Sequence, residues 1–167
     1  ALPNTLEQVN WQLSIEQDAI DNANVQKAFV ATEENQSLLD NLGITFSPKL
    51  TDIPDDLQAL LGNNVRRVNG IYQVSKPTIE TRFQDYVKQA SDKTTAFRYH
   101  GTKWRNGMAI LQTGLRILGS KSSTYSGSML GDAIYTSKDF EKSINYSDGL
   151  MFVLLTHVGK PYIVKET

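Results

Sequence analysis

Phe97 to Trp104 read FRYHGTKW, a run that sets one of the chain's two histidines, His100, directly before Gly101. An imidazole donates or accepts a hydrogen bond near neutral pH, and a glycine lets a ligand reach backbone N–H and C=O with no side chain in the way. Farther on, AIYTS and EKSINYS supply Tyr135, Ser143 and Tyr146, and the last two are three residues apart, a spacing that shares one helical face. A flat aromatic amide such as nicotinamide matches this set: its ring lies between Tyr135 and Tyr146, and its carboxamide meets the Gly101 backbone and the Ser143 hydroxyl. His100 then serves a ribose hydroxyl, so its charge state need not be the catalytic variable. Singly, each residue has a commoner use: the tyrosines as packing residues with a tethered hydroxyl, Ser143 as a solvated helix residue, and His100 as a satisfied structural histidine.

Composition removes several competing chemistries. The chain has 167 residues and no cysteine, which excludes disulfides, thiolate nucleophiles and thiolate-bound metals. His100 and His157 lack metal-ligand spacing, so no metal is expected. Seventeen basic against eighteen acidic residues leave a net charge of -1, which gives no electrostatic case for nucleic acid or an anionic membrane surface. No apolar run is long enough to span a bilayer, and ALPNTLEQVNW lacks the basic segment and apolar core of a signal peptide. All seven tyrosines and both histidines lie beyond position 70, so the chemistry is expected in the C-terminal part.

The elements that must position these groups follow from the periodicity. NTLEQVNWQLSIEQDAI, TEENQSLLDNLG and IPDDLQALLG read as helices, the last two stopped by Gly43 and Gly62, and together they suggest a helical region over 1–62 that packs or regulates. GIYQV reads as a strand, and KPTIETRFQDYVKQA as a helix with Ile79, Phe83, Tyr86, Val87 and Ala90 on a core face. TAFRYH is the next strand. Thr102 is expected to cap the helix KWRNGMAILQT, whose Trp104, Met108 and Leu111 share a core face before Gly114 ends it. GSKSSTYSGSMLG is expected as a loop, AIYT as a short strand, SKDFEKSINYS as a helix begun by Ser137, LMFVLLTHV as a buried strand and KPYIVKE as another.

The runs RYHGTKWRNGMAILQTGLRI, GSMLGDAIYTSKDFEKSINYS and GLMFVLLTHVGK, in this order, resemble the catalytic domain of the poly(ADP-ribose) polymerase family, the diphtheria-toxin-like His-Tyr-Glu ADP-ribosyltransferases. The resemblance covers about Asn69 to Lys165, and the GLRI and KSINY segments are more polymerase-like than toxin-like. It implies an α+β fold with a split, bent, mostly antiparallel sheet over 63–167, preceded by the helical region. It also implies that NAD is the substrate, with nicotinamide on Gly101, Tyr135, Ser143 and Tyr146, and adenosine near His100, Thr102, Asn106 and Arg116. Lys142 matches a position close to the site, and His100 and Tyr135 stand where the family has its catalytic histidine and tyrosine. Ser128 stands where the polymerase branch often has an aromatic residue, so one stacking contact is absent.

The implied reaction breaks the bond between nicotinamide and ribose and passes ADP-ribose to a protein acceptor, and the family setting is intracellular, nuclear or cytoplasmic. The family's third signature residue, a glutamate that stabilises developing positive charge, has no match: Glu166 is almost terminal and Glu141 belongs to the Tyr146 helix. Its place in the family falls beyond Thr167, so the chain is expected to be a fragment, or half of an assembly in which a second chain or segment completes the sheet. The alternatives are a catalytically inactive module that binds NAD or ADP-ribose, a transferase that works without the carboxylate, and a toxin-like mono-ADP-ribosyltransferase.

Overall fold

A computed structural model describes residues 38–117 and 133–163. The first predicted helix and the serine- and glycine-rich loop, with Ser128, lie outside these residues. The described residues form two compact units, 38–44 with 105–117 and 133–135, and 45–104 with 136–163.

The first unit holds helix α1, Leu38–Asn41, and most of helix α4, Trp104–Thr113. Gly43, with φ of 66°, ends α1 as its position after the apolar run requires. Gly114, with φ of 77°, ends α4 in the same way and donates its N–H to the Ile110 carbonyl at 2.8 Å.

The second unit carries two antiparallel sheets of two strands each. Strand β1, Thr45–Phe46, pairs with β2, Val74–Ser75, so GIYQV contributes only its end to a ladder. Between them, helix α2, Asp55–Leu61, starts after Pro54 and runs into a 3-10 helix, Gly62–Arg67, whose Gly62 adopts φ of 51°. Helix α3, Pro77–Gln89, has its proline in the first turn as predicted. Its apolar face is shallower than expected: Ile79, Phe83, Val87 and Ala90 are half-buried and Tyr86 is exposed. Tyr86 instead stands edge-on to His157 at 5.3 Å.

Strands β3, Thr95–Thr102, and β4, Leu150–His157, form the longer ladder, in register from Thr95 opposite His157 to Thr102 opposite Leu150. β4 is half-buried rather than fully buried, and Leu155 is exposed. Tyr99 of β3 is 1% exposed and packs with Leu57, Leu61 and Phe140, so one face of β3 is closed by α2 and by helix α5, Phe140–Ile144. The Tyr99 hydroxyl donates to the Leu60 carbonyl at 3.1 Å, which satisfies the one polar atom in this core.

Three expected elements differ. AIYT forms no strand; the chain there makes one bridge, Ser137 with Tyr99. In KPYIVKE, residues 160–163 form no strand and Tyr162 is 91% exposed, while 164–167 lie outside the described residues. Strand propensity alone does not supply a neighbour to pair with, and among the described residues neither 133–136 nor 160–163 has one. Helix α4 is capped by Asp148 rather than Thr102: Thr102 ends β3, and the Asp148 carboxylate accepts the Trp104 N–H at 2.7 Å. Trp104 is in consequence 62% exposed, against its expected place in the core, with Met108 and Leu111 half-buried.

Candidate functional site

Gly101 sits at the end of β3 on an edge defined by its neighbour. Tyr99 donates its N–H to the Ser137 carbonyl at 2.8 Å and accepts the Ser137 N–H at 3.0 Å, so both its backbone groups point away from β4. Alternate residues of an antiparallel strand point their backbone groups to the same side, so the N–H and C=O of Gly101 face that edge too. No described residue bonds them. Among the described residues the bridge to Ser137 is a single pair, and none pairs with Gly101 one step beyond it.

The other constraint on Gly101 comes from α5. A β-carbon built there would fall inside the Ser143 carbonyl oxygen and 2.8 Å from the Ser143 carbonyl carbon, so only glycine fits beneath this helix. Ser143 is 5% exposed, and no described residue bonds its hydroxyl. The structure therefore brings the backbone of Gly101 against the Ser143 carbonyl.

Helix α5 is short, and its start differs from the expected one. Asp139, rather than Ser137, is its N-cap: the carboxylate accepts the N–H groups of Glu141 at 2.9 Å and Lys142 at 3.3 Å. Ser137 stands two residues earlier and accepts the Asp139 N–H on its hydroxyl at 2.9 Å. Tyr146 lies in the turn after α5, its N–H donating to the Ser143 carbonyl at 3.1 Å, so the three-residue relation survives without a longer helix. Its ring is 40% exposed, free enough to meet a ligand. Lys142 is exposed on the same helix.

His100 is half-buried on β3 and opposite Phe152, on the strand face away from Tyr99. Thr102 is 6% exposed at the strand end. Tyr135, 37% exposed, lies with Asn106 and Arg116 in the first unit, where Asn106 stands in the opening turn of α4 and Arg116 follows its C-terminus. The predicted residues thus divide, with His100, Gly101, Thr102, Lys142, Ser143 and Tyr146 in the second unit.

The Glu141 carboxylate is already engaged. It pairs with Arg67, whose guanidinium also lies 5.0 Å from the Phe140 ring centroid. Among the described residues no three His, Asp or Glu side chains gather as metal ligands, and no helix is long and apolar enough to cross a membrane.

Two residues that hold the site escaped the sequence reading. Asp148 caps α4 from 44 positions away, and Arg67 reaches Glu141 from 74 positions away. Neither spacing has a local signature. The only available hint is Asp148 in the SDG turn, an ordinary loop motif that does not name its partner.

Comparison with known proteins identifies the family. The family described as "Poly(ADP-ribose) polymerase catalytic domain" matches residues 55–166. The poly [ADP-ribose] polymerase-like protein 100L of Invertebrate iridescent virus 6 is 33% identical over 129 residues, covering 75% of this chain and 68% of that protein. The poly [ADP-ribose] polymerase tankyrase of Caenorhabditis elegans is 30% identical over 105 residues, covering 59% of this chain but only 4% of that much longer protein. With the match running from α2 through β3, α5 and β4, the chain belongs to the poly(ADP-ribose) polymerase catalytic domain family.

Proposed function

We propose that this chain is the NAD-binding part of an ADP-ribosyltransferase and that Gly101 receives the nicotinamide carboxamide. The observation that carries this reading is the open backbone pair on Gly101 beside Ser143, in a position where a side chain cannot stand. A primary carboxamide offers one acceptor and one N–H donor in a plane, the complement of a backbone N–H and C=O on one strand edge. The Ser143 hydroxyl adds a donor to the carboxamide oxygen, and Tyr146 supplies a face for the ring; Tyr135 is assigned to the same ligand from its place in the sequence motif alone.

NAD supplies the chemistry of its own glycosidic bond: nicotinamide leaves with the bonding electrons, and C1 of the ribose is captured by a nucleophile whose proton is lost. The chain's task is to hold and orient. His100 is assigned to a ribose hydroxyl, and Thr102, Asn106, Arg116 and Lys142 to the remainder of the dinucleotide. His100 and Tyr135 are assigned to the catalytic centre, and a protein side chain is the acceptor. The split, bent sheet of the family and the division at 62/63 belong to the same reading; Leu57 and Leu61, packed on Tyr99, support a packing role for the helical region.

A second reading rests on Glu141. With its carboxylate held by Arg67, Glu141 is already engaged, and the alternative is a module that binds NAD or ADP-ribose without turning it over. One experiment tests both: calorimetry with NAD and with nicotinamide, paired with a labelled-NAD transfer assay. Binding with loss of nicotinamide supports the transferase, and binding without turnover supports the module. No binding of either ligand overturns both. Tyr146→Ala should weaken nicotinamide by about 1–3 kcal/mol through loss of a stacking face, and unchanged affinity removes the sandwich.

A further inference from the structure

We propose that Arg67 is a positioning residue for this site, acting as a latch that fixes α5 and hence the Ser143 carbonyl against Gly101. The consequence for ligand affinity rests on the NAD reading above; the effect on α5 does not.

The argument begins with the length of α5. Five residues, Phe140–Ile144, are far too few for a helix to persist on its own, so its orientation is set by contacts outside it. The Asp139 cap fixes where it starts but not where it points. Direction comes from its first two residues. Phe140 is 7% exposed and stands edge-on to Tyr99, with centroids 5.5 Å apart and planes at 87°. Glu141 is beside it, and Arg67 holds both, the guanidinium against the Phe140 ring and one nitrogen on the Glu141 carboxylate.

Arg67 is itself anchored. It is the last residue of the 3-10 helix, and the same nitrogen donates to the Asn64 side chain at 3.2 Å. A rigid segment packed on α2 thus holds one end of α5 while Gly101 meets the other. Ser143 is within one turn of the grip, so a tilt at Phe140 moves its carbonyl and hydroxyl together.

Magnitude separates this role from simple stabilisation. The Arg67 and Glu141 side chains are 45% and 65% exposed, and ion pairs that open to water contribute little to global stability. A ligand site, by contrast, responds to small displacements of its polar groups. Loss of the latch should register at the site far more than in the melting temperature.

The test uses the full 167-residue chain with Arg67→Ala, Arg67→Lys and the exchange Arg67→Glu with Glu141→Arg. Amide hydrogen exchange over 140–146 is measured without ligand, and nicotinamide affinity by calorimetry. Arg67→Ala should speed exchange over 140–146 and weaken nicotinamide, each by about 3- to 10-fold, with a melting shift of no more than a few degrees. Arg67→Lys keeps the charge but loses the planar contact with Phe140 and should fall between, and the exchanged pair, which restores the ion pair alone, should recover only part of the loss. Unchanged exchange in Arg67→Ala overturns the latch whatever happens to affinity. Faster exchange in Arg67→Ala with no nicotinamide binding by the parent chain supports the latch and overturns the NAD reading instead. Should Arg67→Ala fail to fold, Arg67→Lys and the exchanged pair decide: Arg67→Lys should exchange faster over 140–146 than the parent, and a parent-like rate in Arg67→Lys overturns the proposal.

Discussion

Gly101→Ala isolates the contact on which the candidate site depends. Gly101 has no left-handed backbone, so an alanine there meets no backbone strain and, by lowering the entropy of the unfolded chain, would by itself stabilise the fold by about 0.4–1 kcal/mol. Opposing this, the new methyl would stand inside the Ser143 oxygen and 2.8 Å from its carbonyl carbon, where ordinary contact begins at 3.4 Å. Both are backbone atoms, so relief requires α5 to withdraw. Withdrawal pulls Phe140 from its edge contact with Tyr99 in the core. Overpacking of this kind costs about 1–3 kcal/mol, which exceeds the entropic gain. For a chain of this size the net loss lowers the melting temperature by roughly 2–10 °C. Ligand binding should suffer more, because Ser143 moves and the methyl crowds the backbone pair; nicotinamide affinity should fall about 10- to 100-fold, the scale of one or two lost hydrogen bonds at about 1.4 kcal/mol each. Differential scanning calorimetry and titration calorimetry read the two effects. A variant that melts at or above the parent's temperature would show that α5 does not press on Gly101, and one that also binds nicotinamide normally would refute the site.

Tyr99→Phe removes the hydroxyl that donates to Leu60 and leaves that carbonyl short of a partner, for an expected loss of about 1 kcal/mol by urea titration. Burial also pushes the Tyr99 phenol up, so the stability tied to its protonated form is present below the ordinary tyrosine value and lost as pH rises through the raised one; the phenylalanine variant should lose that alkaline component. Asp92 is shifted the other way, held below its ordinary value first by the Thr94 side chain, then by the Thr94 N–H and by the nearby His157. Its contribution is therefore present above the ordinary aspartate value and lost as pH falls through the lowered one, and Asp92→Asn should flatten that part of a melting-temperature profile. Asp148→Ala removes the cap on α4 and should cost about 0.5–2 kcal/mol by chemical denaturation, with Asp148→Asn recovering most of it.

The elements legible in the sequence are those whose signal is local. Pro77 and the apolar spacing after it specify α3, Gly62 ends α2, and the β-rich runs around Tyr99 and Val153 become β3 and β4. The failures share a cause. AIYT and KPYI have strand composition, yet a strand exists only where a neighbour accepts its hydrogen bonds, and among the described residues of these stretches only the adjoining Ser137 finds one. Trp104 was read from helical spacing as a core residue, but spacing does not reveal that Asp148 seizes the first turn and leaves the indole beside Gly149. At the site, Gly101 and Ser143 were legible as chemistry, whereas the reason for the glycine was not: the obstacle is the backbone of a helix 42 positions downstream.

The bridge at Ser137 and the cap at Asp148 have a joint effect on how this fold tolerates change. The chain leaves the second unit at Trp104, whose N–H is held by Asp148, and comes back at Ser137, whose backbone is clasped by Tyr99. Departure and return are thus pinned by bonds that belong wholly to the second unit. Once both ends are fixed, the entropy of closing the intervening segment rises only slowly, by about 0.6 kcal/mol for each doubling of its length. Insertions, deletions or a grafted module between these two points should leave β3, α5 and β4 intact, which makes the excursion the part of the molecule where new specificity can arise at least risk to the scaffold.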